Sequence, residues 1–146
     1  MNRLKTYPAT WLTALGLILG ASCISTSRAQ TASASPVVGT WRWTLFSGKC
    51  TETLQYRRDG VLVGKSATAV TRWRYTASSS PDTQGFYKTD EISIRYNAKK
   101  DCSDDMVVET GLETVKFIQL NPAKDQMIVC KTPSLQACYG PLKRMP

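Results

Sequence analysis

From Val37 to Arg144 the chain alternates apolar and polar residues with a period of two. The alternation comes in short runs broken by turn-forming clusters, and no segment carries a sustained 3.6-residue apolar period with capping signals. Successive strand side chains point to opposite faces, so each run buries one face and wets the other. The first run, VVGTWRWTLF, sets Trp41, Trp43 and Leu45 against Thr40, Arg42 and Thr44. Cys50 to Arg58 carries Leu54 and Tyr56 on one face, and Asp59-Gly60 follows as a two-residue hairpin turn that favours positive φ. Val61 to Val70 reads as one strand, and Thr71 to Ala77 alternates Trp73 and Tyr75 with Arg72 and Arg74. Phe86 to Asn97 has the clearest alternation, with Ile92, Ile94 and Tyr96 against Glu91, Ser93 and Arg95, and is expected to be a half-buried antiparallel strand. Thr114 to Leu120, Gln126 to Lys131 and Tyr139 to Arg144 complete the set. Ser47-Gly48-Lys49, Ser78 to Gly85, Lys99 to Asp105 and Asn121 to Asp125 supply breaks, and a short helix has room in 104–112 or 134–137. About eight strands in succession predict an all-β fold, an antiparallel up-and-down β-barrel.

The N-terminus has a different character. Arg3 and Lys5 precede an apolar run from Ala9 to Ala21 and then small residues, the layout of a secretory signal. That run is too short for a stable bilayer-spanning helix. Ser27-Arg28-Ala29 offers a small-x-small cleavage site, so residues 1–29 are expected to be the signal peptide, 30–36 a flexible leader and 37–146 a single β-barrel domain. Gly20-Ala21-Ser22-Cys23 also resembles a bacterial lipoprotein box, which would instead acylate Cys23 and tether the domain to a membrane. Both readings export the protein to the periplasm or beyond.

Four cysteines follow the leader: Cys50, Cys102, Cys130 and Cys138. In an exported chain an even number implies disulfides, and four allow three pairings. We expect a local Cys130–Cys138 bridge and a long-range Cys50–Cys102 bridge. No C-x-x-C spacing and no histidine is present, which argues against a structural zinc site.

The absence of histidine also removes the commonest general base and the Ser-His and Cys-His nucleophile pairs. The adjacent carboxylates Asp90-Glu91 and Asp104-Asp105 point to opposite faces if they lie on strands, so neither is an acid/base couple by sequence alone. Asp101 to Asp105 begins like a calcium loop, but Met106 stands where glycine is needed and Leu112 where a bidentate glutamate belongs. The chain is therefore expected to act without catalysis, metal or cofactor. The full chain has a net charge of +8; losing Arg3, Lys5 and Arg28 leaves about +5, with the basic residues scattered rather than gathered in a stripe. Such a surplus steers anions or acidic partners, and a nucleic-acid footprint would be denser.

The aromatic positions say more about function. Trp43, Tyr56, Trp73, Tyr75, Tyr96 and Phe117 fall in alternating runs and are candidates to line a barrel interior, either as packed core or as the wall of a ligand cavity. Gly39-Thr40-Trp41 on the first strand resembles the G-x-W signature of lipocalins and related calycin barrels. That resemblance implies that Trp41 plugs one end of the barrel beneath an arginine near the end of the last strand, for which Arg144 is the best-placed residue. The family's second motif, a Thr-Asp dipeptide in the later strands, has no counterpart there, since Thr89-Asp90 stands earlier. In length, export and disulfide content the chain is also similar to small β-barrel inhibitors of lysozyme, and GFYKTD, DCS and CYGPLKR resemble segments of exported bacterial proteins. The expected function is a monomeric, lipocalin-like carrier of a small apolar or anionic ligand. The alternatives are a protein-binding module, such as an inhibitor of an extracellular enzyme, or a structural envelope protein.

Overall fold

The computed structural model describes residues 34–45, 48–106 and 109–146. The expected signal peptide, Cys23 and the expected leader up to residue 33 lie outside the described residues. Eight strands follow in order: β1 Gly39–Thr44, β2 Thr51–Tyr56, β3 Val61–Ser66, β4 Ala69–Ala77, β5 Phe86–Tyr96, β6 Glu113–Leu120, β7 Gln126–Cys130 and β8 Cys138–Arg144. Each pairs antiparallel with its chain neighbours, and β8 returns to β1 to close an up-and-down barrel. The described residues contain no helix, and Ser134 to Ala137 is a turn.

One turn and one irregularity of register depart from the sequence reading. The run Val61 to Val70 breaks into a tight turn at Ala67-Thr68, with Ala67 at a φ of 49°. No glycine or asparagine marks this turn. Distant groups hold it instead: the Asn97 side chain accepts from Val70 N and donates to Thr68 O, and the Thr68 hydroxyl donates to Lys100 O. In β5 the register shifts opposite Arg72/Trp73, so Trp73 pairs with Ser93 while Arg72 pairs with Arg95, leaving Ile94 as the extra residue.

Ahead of that shift, the buried face of β5 is not the one its isoleucines favour. Thr89, Glu91 and Ser93 are the buried positions, at 0%, 7% and 3% exposure, while Ile94 is 41% exposed. The apolar-inward expectation is thus inverted along the middle of this strand. Each inward polar group has a partner: Thr89 Oγ1 donates to Glu91 Oε1, and Ser93 Oγ accepts from Leu112 N and donates to Glu109 O. Satisfied in this way, polar side chains tolerate an interior that would otherwise exclude them.

Strand direction gives the barrel two unlike ends. At one lie the β2–β3, β4–β5 and β6–β7 turns, the entry to β1 and the exit from β8; a cluster including Val37, Trp41, Tyr87, Ile118, Met127 and Leu142 fills this half. At the other, the mouth, lie the β1–β2, β3–β4, β5–β6 and β7–β8 connections. Both disulfides sit at the mouth. Cys50–Cys102 ties the β1–β2 connection to the long β5–β6 connection across 52 residues, and Cys130–Cys138 joins the facing ends of β7 and β8. Two disulfides point to an oxidising, extracytoplasmic environment. The β1–β8 seam is short, pairing only Trp41 with Arg144 and Arg42 with Lys143, and Pro141 nearby has no amide hydrogen to extend it.

Candidate functional site

An eight-stranded barrel is just wide enough to fill with side chains or to hold one small ligand. Here the two halves of the interior take opposite courses. The end opposite the mouth is closed by Trp41, which is fully buried and donates from Nε1 to Val37 O at 2.8 Å. The Arg144 guanidinium lies 4.1 Å from the Trp41 ring centroid and donates to three carbonyls: Val38 O (2.9 Å), Pro36 O (2.6 Å) and Lys124 O (2.8 Å). It therefore ties the entry to β1 and the β6–β7 turn across the indole. Gly39 makes room for this arrangement, because a Cβ there would stand 2.5 Å from Arg144 Nη1 and its φ of 145° suits glycine.

Toward the mouth the packing opens into a cavity of about 180 Å³ between β2, β3, β4, β5, β6 and β8. Its walls include Leu54, Tyr56, Leu62, Trp73 and Tyr139, with Glu91, Thr114 and Lys116 as converging polar groups. A neighbouring cavity of about 140 Å³ shares Leu54, Gly64 and Thr71 with it and reaches Glu52, Ser66 and Asp101 near the Cys50–Cys102 bridge. Gly64 helps to create this space. It faces Leu54 and Thr71 across the ladder with no side chain of its own, and a Cβ there would approach Thr71 Oγ1 to 2.7 Å.

Glu91 is the electrostatic centre of the interior. Its Oε1 accepts from Tyr56 Oη at 3.2 Å and from Thr89 Oγ1 at 3.0 Å, while Oε2 receives no hydrogen bond from the described residues. Burial pushes its carboxyl above the usual carboxylate range, with the Thr89 hydrogen bond, the Lys116 charge and the hydroxyls of Tyr56 and Thr114 pulling the other way. The neighbouring phenols respond in kind: burial first, and the Glu91 charge second, raise both Tyr56 and Tyr139. Thr114 Oγ1 is buried in the cavity wall beside Glu91 and makes no hydrogen bond of good geometry.

The aromatic residues singled out in the sequence separate in space. Tyr56 and Trp73 line the cavity. Tyr75 lies beneath them, edge-on to Tyr56 with ring centroids 5.0 Å apart, and donates to Arg57 O. Trp43 packs against Tyr139 at 5.4 Å, next to the cavity wall. Tyr96 ends β5 at the mouth, paired with Thr71, and is not among the cavity-lining residues. Phe117 stands on the outer face, between Lys88 and Cys130, because the inward positions of β6 are Thr114, Lys116 and Ile118, opposite Glu91, Thr89 and Tyr87. Phe117 therefore cannot contribute to the interior wall.

Glu91, Thr114 and Lys116 were not legible as site residues. Along the middle of β5 the apolar side chains are Ile92 and Ile94, and on β6 the outward pair Val115 and Phe117 rivals Ile118 in apolar weight. The inward phase of both strands is set by Tyr87 and Ile118, which belong to the core cluster at the closed end. Tyr139 carried an aromatic signal, but its place in the wall depends on the β7–β8 register shift. Compared with protein-family models, curated proteins and solved structures, the chain matches none.

Proposed function

We propose that this chain is an exported, non-enzymatic binding protein: a monomeric, lipocalin-like barrel that takes one small ligand through its disulfide-stapled mouth. The observation that carries this reading is the cavity of about 180 Å³ above a plugged end, walled by aromatic and aliphatic side chains with a few polar groups converging on it. An apolar protein cavity of roughly 150 Å³ holds a benzene-sized molecule. The space here therefore suits a compact, single-ring ligand rather than a fatty acid. The placement of Arg144 over Trp41, behind Gly39, supports the lipocalin-like part of the reading.

Export to the periplasm or the medium accords with the N-terminal sequence and the two disulfides, with lipidation at Cys23 as the alternative route. The test is native mass spectrometry of the protein purified from its own compartment. The expected result is an unacylated chain beginning at Gln30 with extra small-molecule mass that is lost on denaturation and absent in Gly64→Val, whose side chain enters the cavity. A bare mass in both proteins would overturn the carrier reading.

A second reading, a module whose mouth loops bind an exported protein such as an extracellular enzyme, is supported by one observation. Met106 and Leu135 are 52% and 58% exposed on the two disulfide-anchored connections at the same end of the barrel. Isolated exposed apolar residues are common, but two on neighbouring stapled loops fit a contact surface. Pull-down from the same compartment, compared between the native chain and a Met106→Ser/Leu135→Ser variant, separates this reading from the first.

A further inference from the structure

The cavity wall carries one anion and one cation that feel each other's charge but make no contact ion pair. Glu91 on β5 and Lys116 on β6 project to the same side of adjacent strands, one step apart in register, since Glu91 faces Thr114 and Lys116 faces Thr89. Both line the cavity, yet neither makes an ion pair within 4 Å among the described residues. Glu91 uses only Oε1, leaving Oε2 open, and Lys116 makes no hydrogen bond there. Directly opposite Glu91 is Thr114, whose buried Oγ1 makes no hydrogen bond of good geometry although it lies close enough to act on the Glu91 carboxyl. Trp73 and Tyr139 supply aromatic wall in the same cavity.

A hydrocarbon would offer nothing to Glu91 Oε2, the Lys116 ammonium or Thr114 Oγ1, and a buried polar atom left without a partner opposes binding, more so when it is charged. A purely anionic ligand would meet Lys116 but face the Glu91 carboxylate. A purely cationic one would meet Glu91 and the aromatic faces, which attract cations, but would be opposed by Lys116.

We infer that the cavity selects a compact zwitterion, a molecule with an ammonium for Glu91, a carboxylate for Lys116 and a single ring or short apolar group for the aromatic wall. This is the chemistry of a free α-amino acid with an apolar side chain. Thr114 Oγ1 completes the set, as donor to the carboxylate. The inference rests on the small-ligand reading proposed above and narrows its ligand class.

Four probes of nearly equal shape test it by titration calorimetry on the full mature chain: L-phenylalanine with both charges, 2-phenylethylamine with the ammonium only, 3-phenylpropionate with the carboxylate only, and ethylbenzene with neither. The expected result is that L-phenylalanine binds at least tenfold more tightly than each of the other three. Glu91→Gln and Lys116→Met should each remove that preference, and the cooperative unfolding of each variant in a melt shows that it is folded. Equal binding of all four probes, or tighter binding of a singly charged one, would overturn the zwitterion assignment and leave the small-ligand reading standing. No binding of any probe, in a protein that unfolds cooperatively and carries no retained mass, would overturn both.

Discussion

Arg144 offers the sharpest test of how the barrel is closed. Its guanidinium donates to Pro36 O, Val38 O and Lys124 O and lies 4.1 Å from the centroid of the Trp41 ring. Hydrogen bonds to charged groups contribute about 1.5–3 kcal/mol each. Because one half-exposed side chain supplies all three, about 1 kcal/mol apiece is the appropriate scale, and the cation–π contact adds about 0.5–1 kcal/mol. Arg144→Ala should therefore cost about 3–4 kcal/mol, measured as a shift of the urea midpoint at constant slope. For a domain of this size, 1 kcal/mol moves Tm by about 4 °C, so the melting temperature should fall by roughly 12–16 °C. Lys143→Ala is the internal control, since Lys143 is exposed, pairs with Arg42 on the outer face and makes none of these contacts; it should change stability by less than about 0.5 kcal/mol. Arg144→Lys keeps the charge but loses the planar fork and its stack on the indole, and should recover less than half of the loss. If Arg144→Ala cost under about 1 kcal/mol, or if lysine restored full stability, the closure would rest on Trp41 burial and charge alone.

Other perturbations should behave as follows. Gly39→Ala places a Cβ 2.5 Å from Arg144 Nη1 at a φ of 145° and should destabilise by about 1–3 kcal/mol, with little further loss in an Arg144→Ala background when both are read by chemical denaturation. Replacing both cysteines of the 52-residue loop with serine should cost about 4 kcal/mol, against about 2.5 kcal/mol for the eight-residue loop, compared by paired melts; the reverse order would refute the chain-entropy account. The raised Glu91 carboxyl means that the folded chain holds this proton more tightly than the unfolded one. Its stabilising contribution is full below the ordinary carboxylate range and is lost as pH rises through the folded value. Glu91→Gln should therefore be more stable than the parent near pH 7, with the gap closing toward pH 4 in a series of melts.

Much of this architecture was legible in the residues, and the failures have specific causes. The alternation of Trp41 with Trp43, of Leu54 with Tyr56 and of Trp73 with Tyr75 specified strands and their buried faces, because burying one face of a pleated strand demands a period of two. Asp59-Gly60 marked its hairpin because Gly60 occupies a positive φ of 76°. The β3–β4 turn escaped because Ala67 and Thr68 carry no turn preference of their own. Asn97 and Lys100, some 30 residues downstream, supply the hydrogen bonds that hold it. Phe117 was misplaced and Glu91 missed for one reason: the inward phase of β5 and β6 follows their contacts at the closed end, against the local apolar weight of Ile92, Ile94 and Phe117.

The sequence by itself determined an all-β chain of about eight antiparallel strands, because side-chain periodicity and turn chemistry are local properties. It also limited the available chemistry, since a chain without histidine lacks the usual bases and ligands. Only the tertiary structure decided that one half of the interior is packed and the other hollow. That outcome depends on which side chains from six different strands meet at one level: Gly64 leaves room facing Leu54, and Glu91, Thr114 and Lys116 arrive opposite Tyr56 and Tyr139. The volume and charge of a cavity are sums over residues far apart in the chain, so they become fixed only when strand register is fixed.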